Sequence, residues 1–322
     1  MRNLFTIMFL FIAFFAAAQS KKIIVAKDGS GNFKTVQEAL NSIPSGNKNP
    51  VTVYIKSGIY KEVITVDATK ENIRFTGDSA GKSILTYDNH AGTTLENGDT
   101  LNTWTCASVF IYGNDFHAEK ISFENTAGFT AGQAVAVRVE GNRASFINCH
   151  FKGNQDVLFL SGSGVKNYFR DCYIEGTTDF IFGAATAVFK NSHIHSKKNS
   201  HVTAASTNSI IPFGFVFMDC KLTADSNINK VSLGRPWSPT ASVTYLNCFL
   251  GSHIVPEGWN NWKNPANELT ARYAEYNSSG PGANVASRVK WSKQLTKEEA
   301  EKYTVKNILG KWEPEERKAV EQ

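Results

Sequence analysis

A short phrase returns six times between Ile121 and Leu250, and its spacing constrains the fold more than any other feature of the chain. It reads Phe123-Glu124-Asn125, Phe146-Ile147-Asn148-Cys149, Phe169-Arg170-Asp171-Cys172, Phe189-Lys190-Asn191-Ser192, Phe217-Met218-Asp219-Cys220 and Tyr245-Leu246-Asn247-Cys248. Successive Asn/Asp positions are 23, 23, 20, 28 and 28 residues apart. A period in that range marks a solenoid, in which each unit buries its apolar face against its neighbours. The phrase is rich in aromatic and β-branched residues and alternates with period two, so the unit is a strand. Alternation assigns Cys149 and Phe151 to one face and Phe146, Asn148 and His150 to the other. The expected fold is all-β: a parallel β-helix with a short N-terminal capping helix and a C-terminal helical tail. Its coils should lie about 4.8 Å apart.

Coils of equal length place equivalent positions above one another. Eight residues after the first three Asn/Asp positions come Gln133, Asp156 and Asp179, again 23 apart. The spacing therefore predicts a column of three polar side chains on one wall. Two carboxylates on neighbouring coils repel when both are ionised, so one pKa should rise while the other stays low. That divides labour between a proton donor and an attacking carboxylate. An outward Asn/Asp ladder is the purely structural alternative.

The chain opens with Arg2 and an apolar run from Leu4 to Ala18 broken only by Thr6, ending Ala16-Ala17-Ala18. A basic residue, an apolar stretch and a small-residue end read as a secretory signal peptide over residues 1–18, cleaved near Ala18. The run is shorter than the roughly 20 apolar residues that a spanning helix needs, so no membrane span is expected. Residues 19–322 contain no Pro/Ser-rich linker and are read as one exported domain, secreted to an extracellular or periplasmic destination, acting as a monomer. Losing Arg2 lowers the formal net charge from +5 to +4, a mild basicity that suits an anionic partner or an ordinary soluble surface. No concentrated basic patch points to nucleic acid.

Four of the five cysteines, Cys149, Cys172, Cys220 and Cys248, share one phase of the repeat. They read as an inward column of small apolar side chains, with a Cys149–Cys172 bridge between adjacent coils open in an oxidising compartment. No C-x-x-C cluster suggests a metal, and His117, His150, His193, His195 and His201 form no close ligand set. Neither metal nor cofactor is expected.

Thr35-Val36-Gln37-Glu38 and Thr296-Lys297-Glu298-Glu299 are capping boxes. They predict a short helix ending before Pro44 and a second reaching about Tyr303. Gly77-Asp78-Ser79-Ala80-Gly81 matches G-x-S-x-G, but a strand-like Lys82 to Thr86 follows it, so Ser79 reads as a turn serine. His90 to Thr105 is a polar loop able to border a cleft. Trp259 and Trp262 belong either to a sugar-facing loop or to the packing of the tail.

Gln133 and Gln155 offer neutral amide donors beside the two carboxylates, as a developing oxyanion requires. Arg235 is able to pair with a carboxylate and keep it ionised, and Trp237 offers a flat face to a sugar. Together the stretches Gly58-Ile59-Tyr60-Lys61-Glu62, Gln133-Ala134-Val135-Ala136, Gly153-Asn154-Gln155-Asp156, Asp179-Phe180-Ile181-Phe182-Gly183 and Leu233-Gly234-Arg235-Pro236-Trp237 occur in that order. In this the chain resembles the pectin methylesterase (pectinesterase) family, nearest its bacterial members, over almost the whole of residues 19–322.

The resemblance implies a right-handed parallel β-helix esterase that uses two aspartates. It assigns Asp179 as nucleophile, Asp156 as general acid/base, and Gln133 and Gln155 as oxyanion-stabilising amides. It assigns Arg235 as the residue holding the nucleophile, with Trp237 and Phe182 as aromatics of the sugar cleft. The substrate implied is methyl-esterified pectin, with methanol and pectate as products. Two positions depart from the family's usual pattern: Val157 stands where Thr is usual, and Ala205 where many members carry Gln. Two other readings remain open, a pectin-depolymerising β-helix glycoside hydrolase and a non-catalytic polysaccharide-binding solenoid.

Overall fold

The structure, a computed structural model, describes residues 21–314. The leader read over residues 1–18 lies outside them. The described strands form three parallel sheets of 11, 7 and 8 strands. One coil shows the plan: Ala144–Ile147 lies in the 11-stranded sheet, His150–Lys152 in the 8-stranded and Leu158–Leu160 in the 7-stranded. The next coil repeats it with Lys166–Arg170, Tyr173–Gly176 and Ile181–Gly183, each strand parallel to its predecessor. This is the expected parallel β-helix.

The repeated phrase is the inner spine of the 11-stranded sheet. Phe146, Phe169, Phe189, Phe217 and Tyr245 stand in register. Their rings stack at 4.8, 4.7, 4.5 and 4.4 Å, with interplanar angles of 3° to 11°. The ring spacing is close to the strand spacing, so every coil adds one ring to a continuous pile.

The Asn/Asp positions are corners. Asn148, Asp171, Asn191, Asp219 and Asn247 all have φ between 48° and 55°, a left-handed conformation that Asn and Asp tolerate better than most residues. Each turns the chain from the 11-stranded to the 8-stranded sheet. The corner resets the alternation, and this corrects the face assignment: Phe146 and Cys149 are both fully buried, while Asn148 is exposed. It also corrects the first member of the repeat. Phe123 pairs with Phe151 in the 8-stranded sheet, and the residue in phase with Asn148 is Lys120, φ 59°.

All five cysteines are free, buried thiols. Cys149 donates to the Ala118 carbonyl and Cys172 to the Phe146 carbonyl, so each thiol finds an acceptor in the preceding coil and no Cys149–Cys172 bridge forms.

The N-terminal end is closed by the helix Val36–Asn41, with the capping box complete at Thr35 and Glu38. The Glu62 carboxylate accepts from the Val36 and Gln37 amides at 2.9 and 3.0 Å. That ties the Gly58–Glu62 stretch to the cap rather than to chemistry. Ser79 is indeed a turn residue: its carbonyl accepts from Lys82 and Ser83, and a strand follows. The C-terminal tail forms two short helices, Lys297–Ala300 and Val305–Leu309, where one was expected, because Thr304 caps a fresh start. The second helix lays Ile308 and Leu309 on Tyr168, Val188 and Val216, outward apolar residues of the 11-stranded sheet.

At the C-terminal end a buried ion pair fixes the chain to the last coils. Arg288 donates to both Glu275 oxygens, at 2.8 and 3.1 Å, and the Trp259 indole N–H donates to the same carboxylate at 3.1 Å. Removing one member of such a pair strands the other charge in a low-dielectric interior. Glu275→Gln is expected to cost about 3 kcal/mol, read as a lower midpoint of urea unfolding at unchanged slope.

Candidate active site

The outer face of the 7-stranded sheet gathers the candidate site residues. Its strands are three to five residues long; the middle side chain of each three-residue strand points away from the core, as does the fourth residue of the two five-residue strands, His201–Ala205 and Ser232–Pro236. Phe110, Arg138, Phe159, Phe182, Ala204 and Arg235 form one row across six adjacent strands, in register throughout. Two motif glycines let these coils approach. A Cβ on Gly183 would lie 2.1 Å from the Leu160 carbonyl oxygen, and one on Gly234 2.0 Å from Thr203 Oγ1.

Asp156 and Asp179 sit at the corners that feed this sheet, each two residues before its strand's first paired residue. Leu158 pairs with Ile181, so the 23-residue offset holds and the two aspartates are stacked on adjacent coils. Both take left-handed backbone, φ 63° and 50°. Asp tolerates this conformation and the Asn/Asp corners of the 11-stranded sheet share it, so here it marks a turn of the coil. Here the Asp156 amide is held by the Thr178 carbonyl and the Asp179 amide by the His201 carbonyl.

The predicted three-membered column needs correction. Gln133 does not lie in phase with the aspartates; its backbone bridges to Gln155. The coil holding Gln133 is shorter, since Val137 pairs with Leu158 at an offset of 21. The site is therefore two adjoining pairs, Gln133 with Gln155 and Asp156 with Asp179. Both glutamines are half-buried.

The two carboxylates differ electrostatically. Arg235 grips Asp179 with both prongs, Nε to Oδ1 at 3.0 Å and Nη2 to Oδ2 at 2.6 Å. Asp179 and Asp156 are only 6% and 8% exposed. Burial pushes both pKa values up. For Asp179 the hydrogen bonds and charge of Arg235 oppose the rise. For Asp156, burial and then the Asp179 charge lift the pKa to about 8. One carboxyl thus carries a proton at neutral pH beside another held as a carboxylate. His201, pushed down to about 4 by burial, stays neutral beside them.

Trp262 lies over the Arg235 guanidinium, 3.7 Å from ring centroid to Cζ, while Trp259 is buried against Tyr245 and Tyr273. The two tryptophans of that loop therefore divide: one packs the tail and one belongs to the site. Phe182 is 3% exposed and stacks on Phe159 at 4.3 Å, so it is floor beneath Trp237, whose own ring is 41% exposed. Sequence reasoning missed Arg138, Phe159, Trp104 and Phe110. The first, second and fourth were findable as the middle residues of Val-Arg-Val, Leu-Phe-Leu and Val-Phe-Ile triplets.

With this geometry established, the chain was compared with known proteins. Residues 22–311 match the family model described as Pectinesterase. The chain is 39% identical over 288 residues to Pectinesterase 31 of Arabidopsis thaliana, covering 88% of this chain and 90% of that protein. It is 40% identical over 300 residues to a probable pectinesterase/pectinesterase inhibitor of Brassica napus, where it spans 50% of the relative's length. Among solved structures, pectin methylesterase from carrot superposes with a TM-score of 0.84 at 32% identity, covering 91% of this chain and 94% of that one. A pectin methylesterase in complex with a hexasaccharide gives 0.82 at 30%, covering 92% and 99%. The bacterial leaning read from the motifs is thus replaced by a plant one, although the structure of PemA from Erwinia chrysanthemi also matches, at 30% identity and a TM-score of 0.82. By family model, relatives and fold together, the chain belongs to the pectinesterase family and is a carboxylic ester hydrolase.

Proposed function

We propose that this enzyme removes methyl esters from galacturonate residues of pectin, through an aspartate nucleophile and an aspartate acid/base. The Asp179 carboxylate, aligned by Arg235, attacks the C6 carbonyl carbon, and the C=O electron pair moves onto oxygen. The Gln133 and Gln155 amides donate to that oxyanion, where the loss of one donor costs about 3 kcal/mol of barrier. As the intermediate collapses, the C–O bond to the methoxy group breaks, and protonated Asp156 gives its proton to the departing oxygen, releasing methanol. Asp156, now ionised, takes a proton from water as that water attacks the acyl-Asp179 anhydride. Collapse restores the Asp179 carboxylate and frees the sugar carboxylic acid, which loses its remaining proton to solvent, while Asp156 keeps the proton that it took from water.

The single observation that carries this reading is the asymmetric pair: Asp179 held ionised by a bidentate arginine, one coil from an Asp156 whose pKa is about 8. Trp237 supplies the exposed face for a sugar ring and Phe182 the floor beneath it. The product chain is an anion, and the protein is mildly basic. Residues 1–18 act as the export leader of a single catalytic domain.

The test is methanol released from highly methylated pectin, with chain length followed in parallel. Methanol without new reducing ends is expected. New reducing ends with falling viscosity would support a glycoside hydrolase instead, and binding with neither product a non-catalytic solenoid.

A further inference from the structure

One charged side chain sits in the outward row for no reason that the chemistry above requires. Arg138 lies between Phe110 and Phe159, two strands from Phe182 and four from Arg235. Its side chain is only 14% exposed. It does not wait for an anion, because its donors are already committed. Nη1 donates to the Trp104 carbonyl at 2.7 Å, Nη2 to Glu140 at 2.5 Å, and Nε reaches Ser161 Oγ at 3.4 Å. The guanidinium also lies over the Trp104, Tyr112 and Phe159 rings, 5.2, 5.6 and 5.7 Å from their centroids.

What Arg138 grips is the end of a long connection. Between the strands Ser83–Tyr87 and Val109–Ile111 the chain has no strand or helix of its own, and connections of that length usually serve function. This segment borders the site at both ends. The Ala91 amide donates to the Gln133 carbonyl at 2.8 Å. At the other end Trp104 packs edge-on against Phe159 at 4.7 Å and lies 6.3 Å from Trp237. Trp104 is 45% exposed and Trp237 41%, whereas Phe159 beneath both is fully buried. Two indoles from separate loops therefore meet above a phenylalanine floor. Their centroid separation leaves no slot for a sugar between them, so a ring is met on their outer faces.

We propose that Arg138 is a positioning residue of this enzyme: by holding the Trp104 segment against Phe159, it joins Trp104 and Trp237 into one aromatic platform that binds a pectin sugar next to the one being hydrolysed. This rests on the reading of the substrate given above. Trp104 contacts the polymer; Arg138 acts only through Trp104. The guanidinium suits the task because its planar fork serves a carbonyl, a carboxylate and a hydroxyl while its face serves the rings.

The experiment measures kcat and KM separately for Arg138→Met, Arg138→Lys, Trp104→Ala and the double variant R138M/W104A. Substrates are highly methylated polygalacturonate and the methyl ester of a single galacturonic acid. On the polymer, R138M and W104A are expected to raise KM about fivefold with kcat changed less than twofold, the size of one lost stacking contact. The rise should be smaller on the single sugar, which is too short to span both sites. The double variant should be no worse than W104A alone, since both remove the same contact. R138K, with a charge but no fork, should fall between wild type and R138M, and serves if R138M does not fold.

An unchanged polymer KM in W104A overturns the platform. Additive losses in the double variant, or an equal fall of kcat on both substrates, overturn the claim that Arg138 works through Trp104. Wild-type enzyme that releases methanol from neither substrate would instead sink the functional reading on which the proposal stands.

Discussion

Asp179→Asn is expected to lower methanol release from methylated pectin by about 10^4-fold or more, the scale seen when an enzyme loses a nucleophile that works as part of a unit. The substitution keeps the size and shape of the side chain but removes the charge. Asp179 is enclosed, and its two oxygens are taken up by the Nε and Nη2 of Arg235. An amide in that place still accepts one of these hydrogen bonds, so the corner at φ 50° should keep its shape. An amide oxygen is, however, a poor nucleophile toward an ester, and no other carboxylate among the described residues is held by Arg235. Binding should survive better than turnover, because Trp237 and the aromatic floor are untouched. The measurement is initial-rate methanol release together with affinity for the polymer. Loss of both in equal proportion would mean that Asp179 shapes the site, and undiminished turnover would remove it from the mechanism.

The fold was legible because a solenoid writes its period into the chain. Stacked rings at 4.4 to 4.8 Å demand an aromatic once per coil, and left-handed corners favour Asn or Asp once per coil. Both leave marks that spacing alone detects. What spacing could not show was the corner itself. A residue at φ near 50° breaks the period-two rule, so Phe146 and Cys149 point inward together although they stand three positions apart. The same blindness put Asn125 into the series. Its side chain caps the following connection, with Nδ2 donating to the Asn89 and Val135 carbonyls, whereas the turning residue of that coil is Lys120. The 23-residue step to Asn148 was a coincidence, and it pulled Gln133 into a column where it does not stand.

At the site, the charged partners were legible and the scaffold was not. The pairing of Arg235 with Asp179, 56 residues apart in sequence, followed from motifs rather than from periodicity. The departure at Val157 has a simple physical setting: the side chain is fully buried in the core, facing away from the carboxylates' solvent side. Arg138 and Phe159 escaped because one three-residue strand alone shows too little alternation to announce its outward face, and only the Val-Arg-Val and Leu-Phe-Leu triplets set coil against coil mark them. Trp104 arrives from a connection whose path no local pattern specifies. Its partnership with Trp237, 133 positions later, exists only once the coils are wound.

The second large effect concerns protons. In the proposed mechanism Asp156 must hold a proton when methoxide departs, and burial together with the Asp179 charge raises its pKa to about 8. The rate constant kcat/KM should therefore be flat near neutrality and fall tenfold per unit above about pH 8. On the acid side it should fall as Asp179 is protonated, at a pH above the ordinary aspartate range, because burial raises that pKa even against Arg235. Asp156→Asn should cost about 10^3-fold in turnover, within the usual span for a general acid, and should erase the alkaline limb. Stability must move the other way. A carboxyl whose folded pKa is raised favours the fold while it stays protonated, so its contribution is full below the unfolded value of 3.8 and is lost as pH climbs through about 8. In wild type the native state is thus progressively penalised across that window. Asn at position 156 has no charge to bury and none to set against Asp179. The variant should then be more stable to urea than wild type at pH 8, by on the order of 5 kcal/mol, with the gap closing near pH 4. A gap that is constant with pH would place the Asp156 proton elsewhere. A slower enzyme that is more stable only in alkali would show that the same buried carboxyl sets both properties, because the desolvation that keeps its proton available for methoxide is the desolvation that the folded chain must sustain once that proton is gone.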